Sequence, residues 1–355
     1  MRAQPTEAFW RGKRVLLTGH TGFKGSWLSL WLQCLGVQLH GIALNPPTKP
    51  SLFEVARVAE GMVHHELDIR NFEPLRECFM SLQPEIVIHM AAQPLVRLSY
   101  QQPVETYATN VMGTVHVLEA ARQAGSVRAL VNVTTDKCYE NREWLWGYRE
   151  GEPLGGHDPY SSSKACAELV SSAYRSSFLR EQGMALATAR AGNVIGGGDW
   201  APDRLVPDIL RALEQQAPVL IRNPLAVRPW QHVLEPLSGY LVLAERLWAH
   251  EADADRAWNF GPQDDDAWPV QLLVERLCAL WGRGAQWNSQ PGDHPHEANF
   301  LRLDTSQARQ RLGWTPLWDL ETALTQITHW HQAWLGGADM RSLCLQQITQ
   351  HQSSS

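Results

Sequence analysis

Through the first half of the chain, short apolar and β-branched runs alternate with segments of helix length, each element following the last with few residues between. RVLLTG (14–19), QLHGIAL (38–44), EIVIHMAA (85–92) and RALVNVTT (128–135) read as strands. KGSWLSLWLQCLG (24–36), NFEPLRECFMSL (71–82) and NVMGTVHVLEAARQAG (110–125) read as the helices between them. A further helix is expected from Tyr160 to about Leu179, and a further strand over MALATARAGNVIG (184–196). Regular alternation of this kind predicts an α/β fold with a doubly wound parallel sheet.

Beyond residue 196 the rhythm changes. Glycine and proline punctuate GGGDWAPDR, APVLIRNPLAVRPW and GPQDDDAWP, with the Asp264–Asp266 run expected as a solvated loop. The closing stretch LRLDTSQARQRLGWTPLWDLETALTQITHWHQAW reads as a strand and two helices. This predicts a first domain over 1–196 and a smaller C-terminal α/β lobe over 197–355, with about 231–258 as a segment able to rejoin the first domain. Open α/β sheets bind ligands beyond the carboxyl ends of their strands, so a lobe over that edge makes a cleft.

Charge and cysteine content narrow the ligand in that cleft. Lys+Arg 31 against Asp+Glu 37 leaves a net charge of −6 with no basic run, which argues against a nucleic-acid partner. Six scattered cysteines without a paired framework point to a reducing compartment. The first residues carry no apolar signal core, and no stretch approaches the ~20 apolar residues of a membrane span. A cytoplasmic protein with a small-molecule ligand is expected.

The first strand runs into GHTGFKG, where Gly19, Gly22 and Gly25 precede a helix at once, with Phe23 inside the turn. Glycines there permit a tight turn and close approach to a diphosphate, and the helix N-terminus offers unpaired N–H groups to it. This is a Rossmann-type signal for a dinucleotide. Asp68 and Ile69 are placed to meet an adenine. Ala91 and Ala92, at the end of the third apolar run, leave room for a ribose and nicotinamide. The acid that usually takes the ribose 2′-hydroxyl is missing from ALNPPTKP; Asn45 is the nearest polar residue, no arginine flanks it, and Lys49 lies close. NAD is favoured over NADP.

DPYSSSKACAELV puts Tyr160 and Lys164 four apart on one helical face, and a neighbouring ammonium lowers a phenol's pKa towards acid/base use. GHTGFKG, HMAAQP, TTDK, YSSSK, RAGNVIGGGDW and RPWQHV then occur in the order of the extended short-chain dehydrogenase/reductases. The resemblance runs through to LDTSQARQRLGW, and among the nucleotide-sugar dehydratases of that group it is to the CDP-glucose 4,6-dehydratases.

That resemblance implies NAD as cofactor and CDP-glucose as substrate. Sugar C4 is oxidised while Tyr160, assisted by Lys164, takes the hydroxyl proton. Water leaves across C5–C6, and hydride returns to C6. Thr135 is implied to bond the C4 oxygen and Asp136 to protonate the departing hydroxyl. Related dTDP-glucose dehydratases carry glutamate where Lys137 stands. Lys137 acts as the C5 base if NAD+, Lys164 and partial burial lower its pKa from the ~10.4 of free lysine. Otherwise it stabilises an enolate while Glu140 or Tyr160 takes the proton. Gln93 is implied to reach the sugar, and Asn193 and Arg228 to hold the diphosphate.

Arg190 is open between a second anion contact and a buried pair, and EWLWGY (143–148) between a substrate cover and packing on the second lobe. His232 reads as structural. His294 and His296, like His64 and His65, lack a third ligand, so no metal is expected. Most of the sixteen tryptophans are expected in core or interface. Helices 110–125 and 160–179 carry apolar stripes that the resemblance pairs across a homodimer, with a tetramer also open. The rival functions are a nucleotide-sugar 4-epimerase, a dehydratase of another nucleotide hexose, and an NAD-sensing regulator. Asp136 separates dehydratase from epimerase, because an epimerase has no C6 leaving group to protonate.

Overall fold

The apolar runs become the inner strands of one sheet. The computed structural model describes residues 2–282, 284–289 and 301–354. Among them seven parallel strands pair in the order β7-β6-β5-β4-β1-β2-β3. These are β1 (Arg14–Thr18), β2 (Gln38–Ala43), β3 (Val63–Glu66), β4 (Ile86–His89), β5 (Ala129–Val133), β6 (Ala185–Ala191) and β7 (Ala257–Phe260). β4, β5 and β6 are buried at every position, so they show no alternation of apolar and polar faces, although His89, Asn132, Thr188 and Arg190 lie within them. Strand order reverses between β1 and β4, which opens a crevice at their carboxyl ends.

Four helices frame that crevice: α1 (Phe23–Cys34), α2 (Phe72–Leu82), α3 (Gly113–Ala124) and α4 (Pro159–Tyr174). α1 is buried from Gly25 to Leu32, with Trp27 and Trp31 in the core, which is why it lacks a polar face. Trp10, Trp258, Trp314 and Trp330 are buried as well. α4 starts at Asp158, whose carboxylate accepts from Ser161 N at 2.9 Å, with Pro159 at the first helical position.

Several elements differ from the sequence expectation. β3 is polar, VHHE, and half-exposed at the sheet edge, so it lacks the apolar signature of its neighbours. β7 comes from the second half of the chain and pairs with β6, Asn259 opposite Arg190. The helix Leu234–Trp248, inside the 231–258 segment read as able to rejoin the first domain, packs against β5 and β6. The 184–196 run is split at Gly192 and Asn193 into β6 and the short strand Val194–Ile195, which pairs with Gln231–His232. Near the C-terminus Leu303 makes a single bridge to Tyr148, followed by the π-turn Ala308–Leu312 and the helix Leu320–Leu335.

Helices Leu205–Glu214, Val270–Trp281 and Leu320–Leu335 share a second apolar core that includes Ile209, Leu273 and Ile327. Asp266 is not solvated as expected: it is buried, and its Oδ1 accepts from Leu320 N at 2.9 Å to start that last helix. His294 and His296 lie outside the described residues. Among the described residues no helix is long and apolar enough to cross a membrane.

Candidate active site

β1 delivers Gly19 to the crevice at φ +76°, and a Cβ there would stand 2.7 Å from Ala91 N, so the glycine loop and the end of β4 pack backbone to backbone. Thr18 Oγ1 holds the same junction, accepting from Met90 N and Ala91 N at 3.1 Å each. Gly22 caps α1 with no side-chain bond, Phe23 and Gly25 follow in its first turn, and no acid lies in that turn. An anion therefore meets open N–H groups and a favourable helix dipole, and this donor set fits a dinucleotide diphosphate.

Ala91, Ala92 and Gln93 continue from β4, but Gln93 is already engaged. Its amide donates to the Leu95 carbonyl at 3.1 Å and to Thr106 Oγ1 at 2.9 Å, and its carbonyl takes Leu95 N at 2.6 Å. The side chain thus braces its own loop. Ile69 packs on Gly113 of α3. Asp68 is held through both oxygens by Arg70, whose hydrogen bonds keep the carboxyl below the usual range against the push of burial. Arg70 in turn pairs with Glu105.

At the end of β5 the chain makes one tight turn, Asp136–Cys138. Asp136 and Cys138 point inward and Lys137 outward. Thr135 Oγ1 donates to Asp136 Oδ1 at 3.0 Å and accepts from Lys137 N at 3.3 Å. A Cβ on Gly192 would stand 2.4 Å from Asp136 Oδ2, so this glycine makes the room for the carboxylate. Burial pushes the Asp136 pKa up, against the pull of Lys137, the Thr135 bond and Arg228. Lys137 itself is exposed. The partial burial expected for it is absent, because in so tight a turn the middle side chain has nowhere inward to go.

Tyr160 and Lys164 lie on α4 facing this turn, both buried. Burial pushes Tyr160 up to about 12, with the Thr135 hydrogen bond drawing it down and Asp136 raising it. The Arg204 guanidinium also draws the phenol down. Lys164 Nζ donates to the Val133 carbonyl at 3.3 Å, and burial brings its pKa down to about 8, partly offset by Glu168. Asn193 sits in the break after β6, its carbonyl accepting from Gln231 N at 3.2 Å. Arg228, opposite Trp268 on the strand Val227–Pro229, brings its charge to bear on Asp136 from the second lobe.

Three groups here escaped the sequence reading. Lys24, inside the glycine motif, donates to Tyr240 Oη at 3.0 Å; burial, then Lys164 and Arg204, bring its pKa down to about 7. Arg204 pairs with Asp199 at 2.8 Å, and its only sequence signal was the charge in GGGDWAPDR. Glu168, one turn beyond Lys164, pairs with Arg190 at 2.8 Å and takes Thr134 Oγ1 at 2.5 Å. Arg190 is thus the buried structural pair of the two possibilities. In EWLWGY, Tyr148 is buried and exchanges backbone hydrogen bonds with 302 and 304, while Leu145 and Trp146 stay exposed. His64 bonds His20 at 2.7 Å, His65 bonds His40 at 3.3 Å, and His232 is buried between Trp27 and Trp318.

The model of the family described as NAD dependent epimerase/dehydratase matches residues 15–261. A CDP-glucose 4,6-dehydratase of Salmonella typhimurium is 57% identical over 351 residues, spanning 98% of each chain. Among solved structures, a UDP-glucose-4-epimerase of Stenotrophomonas maltophila with bound NAD superposes with a TM-score of 0.80 at 22% identity, over 92% of this chain and 100% of that one. A dTDP-glucose 4,6-dehydratase of Streptomyces venezuelae with NAD bound does so at 0.78 and 22%, over 92% and 98%. At those identities the two structures speak for the fold.

Proposed function

The chain belongs to the NAD dependent epimerase/dehydratase family, and within it we propose that it converts CDP-D-glucose to CDP-4-keto-6-deoxy-D-glucose, a hydro-lyase on an oxidoreductase fold. The observation that carries this is Asp136, a buried carboxyl with a raised pKa beside Thr135 and Tyr160, next to the 57% identity with a CDP-glucose 4,6-dehydratase. A carboxyl whose pKa burial raises is better fitted to protonate a leaving hydroxyl, and a 4-epimerase has no such step.

When bound, the cofactor would supply the hydride acceptor for sugar C4 in its oxidised form and the hydride donor for C6 in its reduced form. The glycine loop with Gly19, Gly22, Phe23 and Gly25 would hold it, together with Asp68, Ile69, Ala91 and Ala92. Tyr160 takes the proton of the C4 hydroxyl, and Thr135 bonds the same oxygen. Lys164 helps to hold the cofactor and supports Tyr160. Asp136 gives its proton to the C6 oxygen as water departs. Lys137, exposed and without the burial that would make it a base, is assigned to stabilise the enolate, and the C5 proton goes to Glu140 or Tyr160. Arg228 and Asn193 are assigned the diphosphate.

The apolar side chains of Tyr107, Met112, Leu169 and Phe178 stand exposed on the helices around α3 and α4, which supports a homodimer through that face. All six cysteines are unpaired, which supports a reducing cytoplasm. We divide the chain at residue 196, with the helix and strand of 234–260 counted to the sheet domain.

Turnover of CDP-, dTDP-, UDP- and GDP-hexoses with NAD+ in deuterium-enriched water tests the proposal. A CDP-sugar product lighter by one water and carrying deuterium at C5 is expected. An isomerised sugar of unchanged mass would make the chain an epimerase, and no turnover of any donor would make it a regulator.

A further inference from the structure

The acid that commonly meets the adenosine ribose is missing after β2, where ALNPP offers only Asn45. A carboxylate is present one strand away. Glu66 is the last residue of β3, in register with Ala43, the last residue of β2. Its Oε1 accepts from Asn45 Nδ2 at 2.6 Å. One residue before Asn45, the Leu44 carbonyl accepts from Thr21 Oγ1 of the glycine loop at 2.8 Å. The glycine loop, the end of β2 and Glu66 are therefore joined by hydrogen bonds along one edge of the crevice.

Two carboxylates stand at this edge, and only one has spare capacity. Asp68 is gripped by Arg70 through both oxygens. Glu66 is exposed, its Oε2 takes no hydrogen bond, and no lysine or arginine pairs with it among the described residues. Asn45 spends its amide donor on Glu66, which fixes the carboxylate beside the position where the missing acid would have been. An ionised carboxylate accepts from hydroxyls with up to four lone-pair sites and repels a phosphate.

We propose that Glu66, oriented by Asn45, receives the hydroxyls of the adenosine ribose and selects NAD over its 2′-phosphorylated form. The inference rests on the dinucleotide reading of the glycine loop. It moves the selecting charge from the end of β2 to the end of β3, with an amide in the usual place acting as its positioner.

Isothermal titration of the intact protein with NAD+ and with NADP+, without sugar, tests this by binding alone. Glu66→Gln is expected to weaken NAD+ roughly tenfold, the range of one charge-assisted hydrogen bond, and to narrow the preference over NADP+ by at least as much. Glu66→Gln combined with Asn45→Asp exchanges acid and amide across the same hydrogen bond and is expected to restore the preference. Both residues are exposed, so unchanged thermal unfolding is expected of each variant. An unchanged NAD+ affinity and preference in Glu66→Gln, equal weakening of both dinucleotides, or a swapped pair no more selective than the single variant each overturns the inference while the cofactor reading stands. Wild-type protein that binds neither dinucleotide overturns both.

Discussion

Replacing Glu168 with glutamine removes one charge from a buried pair one helical turn beyond Lys164. The Glu168 and Arg190 side chains are 3% and 4% exposed and lie 2.8 Å apart. Glu168 also accepts from Thr134 at 2.5 Å and Thr188 at 2.7 Å. Burial pushes its pKa up, but the charge of Arg190 and the bonds from Arg190, Thr134 and Thr188 outweigh that and hold it below the usual range. Glutamine keeps the shape and loses the charge. Arg190 is then left with the Tyr139 hydroxyl at 2.7 Å, the Glu150 carbonyl at 3.1 Å and the face of the Tyr139 ring. Stranding one member of such a pair costs about 3–5 kcal/mol, and the retained acceptor places this variant near the lower end.

Urea unfolding followed by tryptophan fluorescence measures that cost. Adding Arg190→Met removes the stranded guanidinium, so the double variant is expected to lose less than the sum of the singles, by about 1–3 kcal/mol. A carboxyl whose folded pKa lies below its unfolded value, near 4.5, contributes stability that is fully present above that value. The contribution is lost as pH falls through the folded pKa. The gap between wild type and Glu168→Gln should therefore be constant near neutrality and close in acid. A cost below about 1 kcal/mol at pH 7, strict additivity in the cycle, or a gap that widens in acid would refute the reasoning.

Asp136→Asn is expected to lower turnover by roughly 10²–10⁴-fold, the range of one general acid, while single-turnover absorbance still shows nicotinamide reduction. Gly192→Ala drives a methyl into Asp136 Oδ2 and should slow dehydration while NAD+ titration is unchanged. Lys164, brought down to about 8, carries its charge at neutral pH and loses it as pH rises through that value. NAD+ affinity should fall above about pH 8 in the wild type, and Lys164→Met should be weak at all pH with no such slope.

The glycine motif, TTDK and YSSSK were legible because each is a local pattern whose geometry follows from a single turn or helix face. Four residues on an α-helix bring Tyr160 and Lys164 to one side whatever surrounds them. Buried parallel strands also announce themselves, as β4, β5 and β6 do by their mostly apolar, non-alternating runs. β3 and β7 do not, since VHHE is half-exposed at an edge and AWNF stands alone in a stretch of loops and helices.

From its residues alone the chain determined its doubly wound sheet, its dinucleotide loop and the order of its candidate site residues. The tertiary structure decided which of those groups are buried, which charges meet, and so which pKa values move. Glu66 reaches Asn45 across 21 residues, Glu168 reaches Arg190 across 22, and Lys24 reaches Tyr240 across 216. It also set Lys137 outward and Asp136 inward from adjacent positions, which no composition distinguishes. The physical reason is that desolvation and Coulomb energies depend on distance and burial in the folded chain, and neither is a property of neighbours in sequence.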